Sequence, residues 1–132
     1  MSEGRIVLDV PRLPPCNASR NVHWRVKYTE RQDWGVLLKL AMGRQSRVGL
    51  PFARARAVFT RQSSREPDSD NLVASFKLVR DLLQVEAMRR NPYGLGIIQS
   101  DAPGWLEAEY RWEKAARGKG GIRIEVEAIV DG

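Results

Sequence analysis

Three aspartates have a setting in which carboxylates do chemistry. Asp68 and Asp70 take alternate positions in Asp68-Ser69-Asp70-Asn71, directly ahead of an apolar pattern of helical spacing, and Asp101 follows Ile97-Ile98 about thirty residues later. Magnesium takes hard oxygen donors and keeps several waters, so two or three aspartates converging from separate segments suffice to hold it. Such an ion neutralises phosphoryl oxygens, activates water near neutral pH and steadies a leaving oxygen. The three residues are therefore a candidate centre for phosphodiester hydrolysis. The same residue types have a second reading, since Asp, Ser and Asn are preferred helix N-caps and acids near a helix start complement its dipole. A calcium loop is excluded, because Leu72 and Val73 stand where it needs an oxygen ligand and a glycine.

The charge balance points to the partner. Lys and Arg number 22 against 16 Asp and Glu, a net charge of +6, and 17 of the 22 are arginine. Arginine presents a planar fork of donors that matches phosphate oxygens in pairs, which favours a nucleic acid. An anionic membrane is the weaker fit, for want of a long apolar run or a basic amphipathic segment. Arg54, Arg56, Arg61 and Arg65, on the approach to the acids, and Arg89 and Arg90 further on, are candidate phosphate contacts; solvated surface charge is the alternative. Cys16 is the only cysteine, which excludes an intrachain disulfide and a cysteine-based zinc site. His23 receives no chemistry. Of the tryptophans, Trp34 and Trp112 read as core, while Trp24 and Trp105 lie in loop-like contexts where a ring can stack on a base. The first residues lack the apolar core of a signal peptide, so the expectation is a soluble, cytoplasmic protein without a membrane partner.

The elements that must position these residues follow from periodicity. Ile6, Val7, Leu8 and Val10 suit a strand ended by Pro11. Arg12 to Arg25 reads as a loop. Trp34, Leu37, Leu38, Ala41 and Met42 give a helix over about 30–45, ending near Gly43. Ala53, Ala55, Ala57 and Phe59 alternate with polar neighbours as a second strand that runs to Gln62. Leu72, Phe76, Val79 and Leu83 mark the buried face of a second helix that begins at the acids, with Asp70, Lys77, Asp81 and Gln84 opposite. Lys77 lies two turns below Asp70 and leans toward it, a candidate for stabilising phosphate charge; a surface pair with Asp81 is the alternative. Val85 to Gly96 reads as a mobile surface loop. Leu106–Trp112 and Ile122–Ile129 read as strands joined in a hairpin through Gly118-Lys119-Gly120-Gly121. The order β, α, β, α, β, β predicts a single α+β domain, a mixed sheet with two main helices on one face.

The run Asp68-Ser69-Asp70-Asn71-Leu72, the helix after it, Gly96-Ile97-Ile98-Gln99-Ser100-Asp101, and the early Leu13-Pro14-Pro15-Cys16-Asn17 together resemble the RusA family of Holliday-junction resolvases. The resemblance spans most of the chain and implies a RusA-like fold. It also implies a homodimer that binds four-way junction DNA and nicks two strands symmetrically, in recombination and repair, with magnesium or manganese. By position Asp68, Asp70 and Asp101 match the family's metal-binding catalytic aspartates, and Asn71 matches as a cap or a donor that orients them. Two positions depart from the pattern: Ala74 stands where the family often has lysine, and Ser100-Asp101 where it has an acidic pair. Lys77 is the candidate substitute for that lysine. A non-catalytic protein that grips branched DNA, and a metal-dependent nuclease for other branched DNA, are the competing readings.

Overall fold

The computed structural model describes residues 4–14, 24–85 and 91–129, and for 24–27 the backbone alone. The chain runs β1 (Arg5–Val10), α1 (Trp24–Met42), β2 (Ala55–Ser63), α2 (Ser69–Ser75), α3 (Lys77–Leu83), β3 (Leu106–Lys114) and β4 (Gly121–Ala128). The strands make one sheet in the order β1-β4-β2-β3. β4 is antiparallel to both β1 and β2, while β3 is parallel to β2. This is the expected small α+β domain, a mixed four-stranded sheet with helices packed on it.

Alternation along each strand sorts residues onto two faces. Ile6, Leu8 and Val10, Ala57 and Phe59, and Ile122, Ile124 and Val126 turn inward and are buried against Trp34, Leu38 and Met42 of α1 and Phe76, Val79, Leu82 and Leu83 of the second helical stretch. The opposite face carries cross-strand ion pairs instead, Arg5 with Glu125, Arg123 with Asp9 and Arg56 with Glu107.

Three expectations need correction. The last two strands do not form a hairpin: β2 lies between β3 and β4, and Gly118 helps the connection pass over that end of the sheet with a φ of 83°. The reason is burial. Ile122, Ile124 and Val126 need apolar neighbours on both sides, whereas the exposed Glu107, Glu109, Arg111 and Glu113 of β3 suit a charged edge. The second helix is two helices, α2 and α3, meeting at Phe76 (φ −97°, ψ 1°). There the Ser75 hydroxyl donates to the Leu72 carbonyl and competes with the helical ladder, and the Phe76 ring is locked in the core beside Phe59 at 5.3 Å. Finally, residues 91–98 are tied down. The buried Asn91 amide donates to the Asp81 carbonyl at 2.8 Å, and the backbone N–H groups of Leu95, Ile97 and Ile98 bond to Leu82 and Leu83.

α1 begins six residues before the expected start and ends as expected, with Gly43 at a φ of 53°. Just beyond, Gln45 joins α1 to the sheet. Its Oε1 accepts from the Val7 N–H at 2.8 Å and its Nε2 donates to the Val7 carbonyl at 2.7 Å, which satisfies backbone groups on the free edge of β1. Gln45→Ala should therefore lower the free energy of unfolding by about 2 kcal/mol in urea titration, since a partly buried strand edge loses both partners.

Candidate active site and nucleic-acid interface

The site grows from the end of β2. Arg61 and Ser63 share the inward face with Phe59, so strand geometry carries a guanidinium to the rim of the core, where Arg61 is 8% exposed. Ser63 shapes the turn that follows. Its hydroxyl donates to the Arg65 carbonyl at 2.8 Å and accepts from the Trp112 indole N–H at 3.0 Å, fixing the approach to α2 against β3. Arg61, Ser63, Arg65, Asp68 and Asn71, with Leu13 as an apolar wall, line an open cleft of about 450 Å³.

Asp68 is the N-cap of α2, and its carbonyl accepts the Leu72 N–H at 2.8 Å. Its carboxylate makes no capping hydrogen bond and stands exposed at the cleft. The capping alternative therefore accounts for the backbone of Asp68 and leaves its side chain unused. Asp70 is also exposed, but two positions further round a helix it does not line the cleft. Asn71 does.

Asp101 has a different environment. It accepts from Arg80 Nε at 3.2 Å, while Arg80 Nη1 donates to the Tyr110 hydroxyl at 2.5 Å. Burial opposes the charge of Arg80, yet Tyr110 and Asp101 outweigh it and raise the guanidinium pKa. Burial likewise pushes the Asp81 carboxyl up; Arg31, 3.5 Å away, partly offsets this, and the nearby charge of Asp101 adds to it.

Among the described residues no three His, Cys, Asp or Glu side chains gather into a group able to hold a metal ion, so Asp68, Asp70 and Asp101 are not assembled together. Ten residues separate Asp70 from Arg80, the partner of Asp101, which is roughly 15 Å along the helical axis. Magnesium is also commonly held by one or two carboxylates together with substrate phosphate. Asp68, on the cleft and without an ion pair among the described residues, fits that smaller requirement; Asp70 is equally without an ion pair among them but does not line the cleft, and Asp101 is occupied by Arg80. No protein-family model, curated protein or solved structure matches the chain.

The basic candidates divide by face. Arg61 and Arg65 line the cleft. Arg56 lies on the outer face, paired with Glu107 at 3.2 Å, and Arg54 Nε donates to the Gly104 carbonyl at 3.3 Å. The outer sheet face holds Asp9, Glu107, Glu109, Glu113, Glu125 and Glu127 against only Arg5, Arg56, Arg111 and Arg123. Among the described side chains away from that face, 13 are Lys or Arg against seven Asp or Glu, a balance that suits an anionic partner. Arg89 and Arg90 lie outside the described residues, as do Cys16, Asn17 and His23. Lys77 is exposed, opens α3 beyond the break at Phe76 and does not line the cleft. Trp105 is 46% exposed, whereas Trp34 is buried.

Sequence reasoning missed Arg80 and Tyr110. A signal existed: Arg80 falls four residues after Phe76 and three before Leu83, within the apolar stripe, where a cation requires a partner.

Two measurements check these assignments. A double-mutant cycle of Asp101→Asn and Arg80→Met should give a coupling of about 1–2 kcal/mol in urea unfolding, since each single change strands the other half-buried group. For Asp81 the raised pKa means that the native state binds its proton more tightly than the unfolded chain. Its contribution to stability is fully present below the ordinary value of 3.8 and is lost as pH rises through the raised one. The stability of wild type relative to Asp81→Asn should accordingly fall with rising pH across that window, as followed by urea titrations at stepped pH.

Proposed function

We propose that this protein is a magnesium-dependent endodeoxyribonuclease that resolves Holliday junctions by paired symmetric nicks, acting as a homodimer in DNA recombination and repair. The observation that carries the reading is the Asp68 carboxylate, which makes no capping hydrogen bond and no ion pair among the described residues and is exposed on a cleft that also holds Arg61, Arg65 and Asn71. The aspartate motif that resembles the RusA family, and the concentration of basic residues away from the outer sheet face, support it further.

In this reading Arg61 and Arg65 receive backbone phosphate, and Asp68 is the cleft residue that would hold the metal, completed by phosphate and water, with Asp70 of the same motif as the second carboxylate drawn to it on binding. A magnesium or manganese ion there supplies neutralisation of phosphoryl charge and an acidified water. Asn71 offers an amide on the same wall. A four-way junction has two symmetry-related scissile bonds, and resolution needs both cut, so one cleft per subunit of a two-fold dimer matches the substrate.

A second reading, a non-catalytic protein that grips branched DNA, is favoured by one specific observation: Asp101 is engaged by Arg80 and leaves the carboxylate trio incomplete. A nuclease for other branched DNA is separated from a resolvase by comparing substrates.

The deciding assay offers a synthetic four-way junction and a linear duplex of matching sequence, in magnesium, in manganese and in EDTA. Wild type should place paired nicks on the junction alone and none in EDTA. Asp68→Asn and Asp70→Asn should each cut about a hundredfold more slowly or worse while binding the junction at least as tightly, since loss of a negative charge does not weaken the hold on phosphate. Tight binding without cutting in either metal would establish the binding-only reading instead.

A further inference from the structure

We propose that Arg61 is a preformed receptor for a single DNA backbone phosphate, seated on the cleft beside the Asp68 carboxylate; the identity of the anion as DNA rests on the nucleic-acid reading above. Arg61 is 8% exposed, and its Nη1 atom is buried without a hydrogen-bond partner. A buried donor left unpaired is costly, and more so when charged. The contrast within the same molecule is informative. Arg80, with a side chain 23% exposed, is given both a carboxylate and a phenol. Arg61 is more deeply placed and has no ion pair among the described residues. Glu66 and Asp68 line the same cleft without pairing with it.

The side chain is held where it is by strand geometry. Arg61 stands in register between Ile122 of β4 and Trp112 of β3, all three on the inward face. An arginine so placed loses little further freedom when it binds; the guanidinium edge that lines the cleft can donate to an anion there, while Nη1, sealed in the wall, leaves the charge poorly solvated until the anion arrives. The surroundings admit phosphate: Arg65 supplies a second cation, which with Arg61 balances Glu66 and Asp68, and Ser64 and Asn71 supply neutral polar groups around a cleft of about 450 Å³ that is open enough for a phosphate within a chain. The exposed Asp68 carboxylate shares the cleft, so the phosphate received by Arg61 is the one next to the residue proposed to hold the metal.

The test measures binding of a labelled four-way junction in EDTA, where no cutting occurs, by fluorescence anisotropy over a salt series. Arg61→Met keeps the volume and removes the buried charge. It should keep or raise Tm, weaken binding by about tenfold and lower the slope of log K against log salt by about one. Arg61→Lys should retain the slope yet bind more weakly than wild type, because the charge stays and the fork is lost. Arg123→Met, on the outer face, should change neither quantity.

Unchanged affinity and slope in Arg61→Met would overturn the proposal. So would a marked loss of Tm in both Arg61 variants, which would make the residue structural. If inorganic phosphate raises the Tm of wild type but not of Arg61→Met, while junction binding is the same in both, the receptor serves free phosphate and the DNA assignment fails. Absence of cleavage in magnesium with the Arg61 binding pattern intact would remove the nuclease reading and leave the receptor standing.

Discussion

The parallel pairing of β2 with β3 governs where the candidate aspartates end up. Ala55 lies opposite Leu106 and Ser63 opposite Lys114, so a chain leaving β2 at Ser63 must travel back the whole length of the sheet before β3 can begin. A nine-residue strand is roughly 26–30 Å long. The helical stretch from Ser69 to Leu83 covers roughly 22 Å of that return. The turn before α2 therefore sits at one end of the sheet, and the segment before β3 enters from the other. Asp68 belongs to the first and Asp101 to the second. Two acids that read as partners along the chain are held apart by the crossover, and each meets different neighbours: Asp68 a cleft with two arginines, Asp101 the guanidinium of Arg80.

The arginines divide in the same way. On the outer sheet face alternation places them opposite acids in neighbouring strands, and the pairs leave that surface with more negative than positive charge. Arg80 rises from the apolar side of α3 and is satisfied by Asp101 and Tyr110, whose ring stacks on Phe59 at 5.2 Å. This cluster ties α3 to the segment before β3 and to β3 itself. Arg61 alone among these combines deep placement with an unpartnered donor, and it does so on the wall that carries the free carboxylate of Asp68.

These placements bear unequally on the two functional readings. Recognition of phosphate draws on Arg61, Arg65 and the basic balance of the chain outside the outer face, and it needs no third acid. Hydrolysis, as proposed, would draw on Asp68 and Asp70 with a metal completed by substrate. Asp101 is paired with Arg80.

Much of the architecture could be read from residue order, because it rests on local periodicity. The apolar run Ile6–Val10 stopped by Pro11, alternation in Ala53–Phe59, three-and-four spacing in Trp34–Met42 and Leu72–Leu83, and the stop at Gly43 are properties of neighbours along the chain, and they led to the α+β class and to most of the buried residues. The motif around Asp68 and the arginine excess are likewise visible without coordinates. Strand order was not, because a hairpin and an intervening third strand use the same turn residues, and only burial of Ile122, Ile124 and Val126 on both flanks selects the latter. The break at Phe76, the anchoring of 91–98 and the Gln45 clasp on Val7 depend on hydrogen bonds between distant segments. The site divides along the same line. Residue types and spacing determined which groups could do chemistry; the path of the crossover decided which of them meet, since the approach of side chains remote in sequence depends on strand pairing and not on spacing.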